Sequence, residues 1–275
     1  MRIICFEQDG QPRYGVRDPG GVREPLDQLI RDPAALFGWL RTAAPPIGPL
    51  HLPGTVKLLP PVPRPNKILC IGLNYRDHAA ETGNPLPDYP TVFLRTAASL
   101  AAHETALLLP RESSKLDFEA ELAVVVGTGG RRIAEGDALS HVGGYSCFND
   151  ATLRDYQTRS SQWGMGKNFD RTGGFGPDLV TPDELPPGAR GLSIRTRLDG
   201  DIMQDGTTND MVFGVAPLIA LLSEAMTLEP GDVIITGTPA GVGVARRPRL
   251  YMRAGQTVEI EIEGIGTLRN IVEAD

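Results

Sequence analysis

Hydrophobic and polar positions alternate along this chain in short runs, most with the two-residue period of a strand. Val258-Glu-Ile-Glu-Ile-Glu263 alternates strictly, breaks at Gly264-Ile-Gly266 and resumes over 267–272, which predicts a hairpin. Residues 2–7, 67–72, 91–95, 121–127, 141–148 and 232–236 read as further strands, and 193–199 with 201–204 flank an Asp-Gly turn. Helical spacing is rarer. Residues 74–81 form a short helix ended by Gly83, 151–160 a second, and 213–226 the clearest, with Leu218, Ile219, Leu221 and Leu222 as its apolar stripe. Residues 26–41 carry a weaker helical pattern that contains Pro33. Strands dominate without regular βαβ alternation, so the predicted class is α+β, rich in β.

One run stands apart. In Leu116-Asp-Phe-Glu-Ala-Glu-Leu-Ala-Val-Val-Val126 both faces become apolar after Glu121, so the strand is covered on both sides. Glu119 and Glu121 point to the same face, with a rise of ~3.3 Å per residue, and could share one ion. A solvated strand face is the plain alternative. Against it, two carboxylates near an interior repel unless a cation or proton lies between them.

Four prolines within residues 59–65 make a stiff, extended segment that cannot join a central sheet. It divides the chain into a small N-terminal unit, residues 1–64, which packs on the main body, and a main unit, residues 65–275. With 275 residues, 32 Gly, 24 Pro and few aromatics, the composition is that of a globular protein with many tight turns. A net charge of −7, with no basic run interleaved with aromatics, argues against nucleic acid as a partner. Cys5, Cys70 and Cys147 lie far apart in apolar segments and read as reduced core thiols, hence a cytoplasmic setting; Cys147 as a nucleophile is the lesser alternative. The N-terminus turns charged too early for a signal peptide, and no apolar run approaches a membrane span.

Asp150 follows a predicted strand and would bring the carboxylates to three, with no Cys or His: a hard oxygen set suited to Mg²⁺ or Mn²⁺. Its alternative role is a helix N-cap. His78 and Glu81, three apart on a helix, could form a base and its orienting partner or a surface contact. Lys167, between glycines and aromatics, could stabilise an oxyanion. Arg154 and Gln157 lie one turn apart and could face one cleft. Gly237-Thr-Pro-Ala-Gly-Val-Gly243 lacks dinucleotide-binding spacing and reads as a turn whose N–H groups and Thr238 hydroxyl meet a carboxylate. No Gly-x-Ser-x-Gly elbow is present.

From residue 67 onward the chain resembles the fumarylacetoacetate hydrolase family. The resemblance rests on seven motifs in order. They begin with Asn74-Tyr75-x-x-His78-x-x-Glu81, Asp117-Phe-Glu119-x-Glu121 and Asp150-x-x-x-Arg154-Asp-x-Gln157. Gly166-Lys167-x-Phe169, Gln204-Asp-Gly206, Gly237-Thr238-Pro239-x-Gly241-Val-Gly243 and Gly264-Ile-Gly266 follow. It implies a mixed β-roll catalytic domain, a small N-terminal domain and a homodimer. It also implies a divalent cation (Mg²⁺ or Mn²⁺, with Ca²⁺ a third choice) on Glu119, Glu121 and Asp150, with Lys167 beside it. His78 with Glu81 would be a dyad on a lid, and Arg154, Gln157 and Thr238 substrate contacts. Arg95 stands where relatives commonly carry Lys, and is expected to meet an anionic group of the substrate.

The implied substrate is a small anionic 2-oxo or 2,4-dioxo acid. The dyad favours hydrolysis of a carbon–carbon bond in an acylpyruvate, with water activated by His78. Decarboxylation of oxaloacetate, double-bond isomerisation and hydration of 2-oxo acids use the same chemistry and are the alternative. A catalytically silent, metal-stabilised binding protein is the reading from outside enzymology.

Overall fold

The computed structural model describes residues 1–24, 30–41, 48, 50–51 and 54–275. The strand Ala120–Val126 is at its centre, and all seven of its residues are buried. It pairs antiparallel with Val142–Asp150 on one side and Val233–Ile235 on the other. Beyond Val233–Ile235 the sheet continues in parallel with Ile68–Gly72 and ends at the edge strand Thr91–Arg95. In the other direction it passes through Gly173–Val180 to Arg2–Gln8, Gln11–Asp18, Gly21–Arg23 and Leu50–His51. The first strands of the chain thus extend the same sheet.

Both faces of Ala120–Val126 are covered, as its unbroken apolar run requires. Leu122, Val124 and Val126 pack against a second, five-stranded sheet through Ile194, Ile260 and Leu268. Ala123 and Val125 pack with Leu36 and Phe37 of the helix Pro33–Arg41. Each buried Leu or Val here contributes roughly 1.5–3 kcal/mol of apolar burial. The second sheet contains the predicted hairpin, observed as Thr257–Ile262 and Gly266–Ala274, and Ser193–Leu198 with Asp201–Thr207.

Several boundaries differ from the sequence pattern. Of the weak helical stretch 26–41, Pro33–Arg41 is helical, while residues 26–29 lie outside the described residues, as do Pro45 and Pro46. The clearest helix is Val215–Ala225, with Leu218, Ile219 and Leu222 buried and Leu221 at its margin. The helix expected over 151–160 is a single turn, Arg154–Gln157, because Thr152–Leu153 instead pairs with Leu116–Asp117. Cys5, Cys70 and Cys147 are free and buried, and burial pushes the Cys147 thiol up to about 12, which removes it as a nucleophile. No described helix is long and apolar enough to cross a membrane.

Candidate active site

Strand register brings the carboxylates together. Ala120 pairs with Asn149, so Asp150, the last residue of its strand, comes level with Glu119; its N–H donates to the Glu119 carbonyl at 2.9 Å. Asp150 therefore ends a strand and caps no helix; the turn that follows has Leu153 at its cap position. Carboxylate oxygens of Glu119, Glu121 and Asp150 lie within 4.8 Å of one another, and all three residues are buried.

Their counter-charges are unevenly shared. Glu119 receives Lys167 Nζ at 2.6 Å and Arg154 Nη2 at 2.7 Å. Asp150 receives Arg95 Nε at 2.8 Å and a short contact from Lys167. Glu121 has the Gly237 N–H and, among the described residues, no cation within ion-pair distance. Burial would raise the Glu119 carboxyl, but Arg154 and Lys167 outweigh it and hold it at about 2. Burial, with repulsion from Asp150 and Glu119, pushes Glu121 well above the usual carboxylate range. Burial would likewise lower the Lys167 ammonium, but Asp150 and Glu119 keep it above the ordinary lysine value. A fourth buried carboxylate, Asp117, joins the network, so among the described residues three cations face four acids. A cluster of three hard oxygen donors, short of positive charge at Glu121, fits a divalent cation of the Mg²⁺ or Mn²⁺ type.

His78 lies on the helix Arg76–Thr82, which ends at Gly83 with φ +70°, a conformation glycine adopts without strain. Its Nδ1 is 3.3 Å from Glu81 Oε2, and Glu81 Oε1 accepts the Gly241 N–H at 3.0 Å. Partial burial would raise the Glu81 carboxyl; the hydrogen bonds from His78 and Gly241 outweigh it and hold it below the usual range. With Nδ1–H turned to Glu81, Nε2 keeps its lone pair, and His78 lines the cavity above the carboxylates. The N-terminal end of this helix is tied down by the Asp77 N–H on Asp210 Oδ2 at 2.8 Å and by Arg76 on the Met211 carbonyl at 2.9 Å.

The cavity, about 670 Å³, is lined by His78, Glu119, Glu121, Asp150 and Lys167, and by Arg154, Gln157 and Thr238. Arg154 already bonds Asp117 at 2.8 Å and Gln157 Oε1 at 3.0 Å, which leaves the Gln157 amide NH₂ for a ligand. Thr238 Oγ accepts from Gln204 Nε2 at 2.8 Å, so its hydroxyl proton is free to donate. The structure does not bring Arg95 to the cavity. Its side chain is fully buried behind Asp150, where it also donates to the carbonyls of Ala151 and Lys167. The expected substrate contact is replaced by a support for Asp150, because Arg95 is the last residue of an edge strand whose side chain turns inward beneath the carboxylates.

Three further residues hold the site in shape. Asp117 accepts from Arg154 and from the N–H groups of Gly243 and Val244, at 2.8 and 2.9 Å. Gly243 must be glycine, since a Cβ there would lie 1.9 Å from the Leu250 carbonyl oxygen. Asn74 joins Phe213 to the Thr236 carbonyl, and Gln204 ties the Ala120 N–H to Thr238 and Pro239. Asp117 was open to discovery from its position, since it shares the odd-numbered face of Glu119 and Glu121. Asn74 and Gln204 carry no such periodic signal.

The fold and this cavity define an enzyme whose chemistry centres on buried carboxylates opposed by a histidine. A model described as fumarylacetoacetate (FAA) hydrolase C-terminal matches residues 67–273, and the chain belongs to that family. It is 44% identical over 219 residues to the mitochondrial oxaloacetate tautomerase fahd2 of Xenopus laevis, covering 79% of this chain and 68% of that protein. It is 40% identical over 260 residues to the oxaloacetate tautomerase YisK of Bacillus subtilis, covering 92% of this chain and 86% of that protein. The solved structure of fumarylacetoacetate hydrolase from psychrophilic Exiguobacterium antarcticum superposes with a TM-score of 0.85 at 35% identity, over 100% of both chains.

Proposed function

We propose that this enzyme interconverts the keto and enol forms of a 2-oxo diacid of the oxaloacetate type. The observation that carries the reading is the buried Glu119–Glu121–Asp150 cluster facing the His78–Glu81 dyad across one cavity. Two relatives named as oxaloacetate tautomerases support it. A Mg²⁺ or Mn²⁺ ion held by Glu119, Glu121 and Asp150 would polarise the 2-oxo group and neutralise the negative charge that enolisation places on it. The Thr238 hydroxyl and Gln157 amide bind the adjoining carboxylate. His78 Nε2 takes a proton from C3, the C–H electron pair becomes the C2=C3 bond, and the carbonyl pair moves onto oxygen. Lys167 supplies positive charge beside that oxygen, a proton from solvent completes the enol there, and His78 returns the C3 proton to solvent. Glu81 holds the imidazole in the required tautomer and stabilises its protonated form.

Hydrolytic cleavage of a 2,4-dioxo acid is the second reading. The dyad favours it, since His78 could as readily take a proton from water, and the whole chain superposes on a fumarylacetoacetate hydrolase. A panel separates the two: enol decay and decarboxylation of oxaloacetate, and pyruvate release from acylpyruvates, each with Mg²⁺, Mn²⁺ or EDTA. Enol decay accelerated far beyond pyruvate release supports tautomerisation, and the reverse ratio supports hydrolysis. Activity indifferent to EDTA and to Glu119→Ala would remove the metal from both. A homodimer, and a division into residues 1–64 and 65–275, belong to the same proposal; light scattering and limited proteolysis test them.

A further inference from the structure

The inner cations of the cavity are all engaged: Lys167 with Glu119 and Asp150, Arg154 with Asp117 and Glu119. Two more line the same cavity at its exposed mouth, Lys115 and Arg249. Among the described residues, neither the Lys115 ammonium nor the Arg249 guanidinium has an ion-pair or hydrogen-bond partner. They come from segments far apart in the chain. The Met252 N–H donates to the Leu116 carbonyl at 2.8 Å, which lays the stretch containing Arg249 and Tyr251 alongside Lys115. Among the described residues, the acid lining this part of the cavity, Asp155, accepts the Ser113 hydroxyl at 2.7 Å.

We propose that Lys115 and Arg249 form the subsite for the distal carboxylate of the substrate, and so select 2-oxo diacids over 2-oxo monoacids. The inference rests on the enolisation reading, which puts the 2-oxo acid end of the substrate at the buried carboxylates. The cavity is then polarised along its length, with acids at its base and unpaired cations at its mouth. A diacid has two ends to satisfy in that field. Cations that stay hydrated in the free protein cost it little, and gain a partner only when a second carboxylate arrives. The guanidinium offers a planar fork to that carboxylate, and the ammonium adds a point charge.

The test uses the full chain with Mn²⁺ and compares oxaloacetate with its 4-methyl ester, which lacks only the distal charge. For Lys115→Ala/Arg249→Ala, kcat/KM on oxaloacetate should fall about tenfold through KM, with the ester and the melting temperature unchanged. Arg249→Glu should lower the diacid rate further while sparing the ester. Equal changes on both compounds, or none on either, overturn the subsite. If the wild-type enzyme turns over neither compound, enolisation fails as a reading, and calorimetric binding of the pair decides the subsite separately. Affinity lost for the diacid alone in the double variant supports it; affinities that move together overturn it.

Discussion

The Lys167 ammonium bridges Glu119 and Asp150, 2.6 Å from Glu119 Oε2 and within hydrogen-bonding reach of Asp150. One buried lysine thus offsets two of the three clustered carboxylates, while Glu121 has no cation of its own among the described residues. Lys167→Met should therefore destabilise the metal-free protein by about 3 kcal/mol, the usual cost of removing one partner from a buried ion pair. Mn²⁺ should recover more melting temperature in the variant than in the wild type, because the ion then supplies the missing charge. Calorimetric melting with and without Mn²⁺ checks this. Equal metal-induced shifts in the two proteins would contradict it.

The helix bearing His78 has its own acid pair. Burial and then the neighbouring Asp210 raise the Asp77 carboxyl above its ordinary value. A carboxyl raised on folding binds its proton more tightly in the folded state. Its contribution to stability is full below the unfolded value of 3.8 and is lost as pH rises through the folded value. Asp77→Asn keeps the hydrogen-bond acceptor without the charge. The variant should match the wild type near pH 4 and melt a few kelvin higher at pH 7, roughly 1–3 K. A constant offset across that window would show that Asp77 is not the group responsible.

The central strand was legible because nothing about it is local in a misleading way. Leu122 to Val126 is apolar on both faces and can only be buried, and Glu119 and Glu121 stand out against it. The strand Gly173–Val180 escaped notice for the opposite reason. It begins with two glycines whose need is tertiary: a Cβ on Gly174 would lie 2.7 Å from Asn270 Oδ1. The helix expected after Asp150 was too long because the partner of Thr152–Leu153, thirty-odd positions upstream at Leu116–Asp117, leaves no trace in local periodicity. Arg95 shows the limit for site residues. The family resemblance places a cation at this position, but whether it faces the cavity or stands behind Asp150 depends on the register of an edge strand.

That placement makes Arg95 testable as a support. Arg95→Met removes the Nε bond to Asp150 and leaves the carbonyls of Ala151 and Lys167 without their donor. The expected outcome is about 3 kcal/mol of lost stability and roughly 10- to 100-fold weaker Mn²⁺ binding, as for other residues that orient metal ligands. Melting and calorimetric titration measure both. A substrate contact would instead raise KM and leave Mn²⁺ affinity intact.

The two halves of the dyad should fail differently. His78→Asn removes the only imidazole that lines the cavity among the described residues, and kcat should fall by roughly 10²–10⁴ with the fold intact. Glu81→Gln is milder. Its amide oxygen can still accept from one of the two donors, His78 Nδ1 and the Gly241 N–H, but the negative charge that stabilises protonated His78 is gone. A loss of about tenfold fits that smaller role. The hydrogen bonds from His78 and Gly241 hold the Glu81 carboxyl below the ordinary glutamate range, so it stays ionised across the neutral region. The acid limb of kcat/KM in the wild type therefore does not belong to Glu81. His78→Asn with wild-type kcat would dismiss the base. Glu81→Gln with wild-type kcat would reduce Glu81 to a clamp on Gly241.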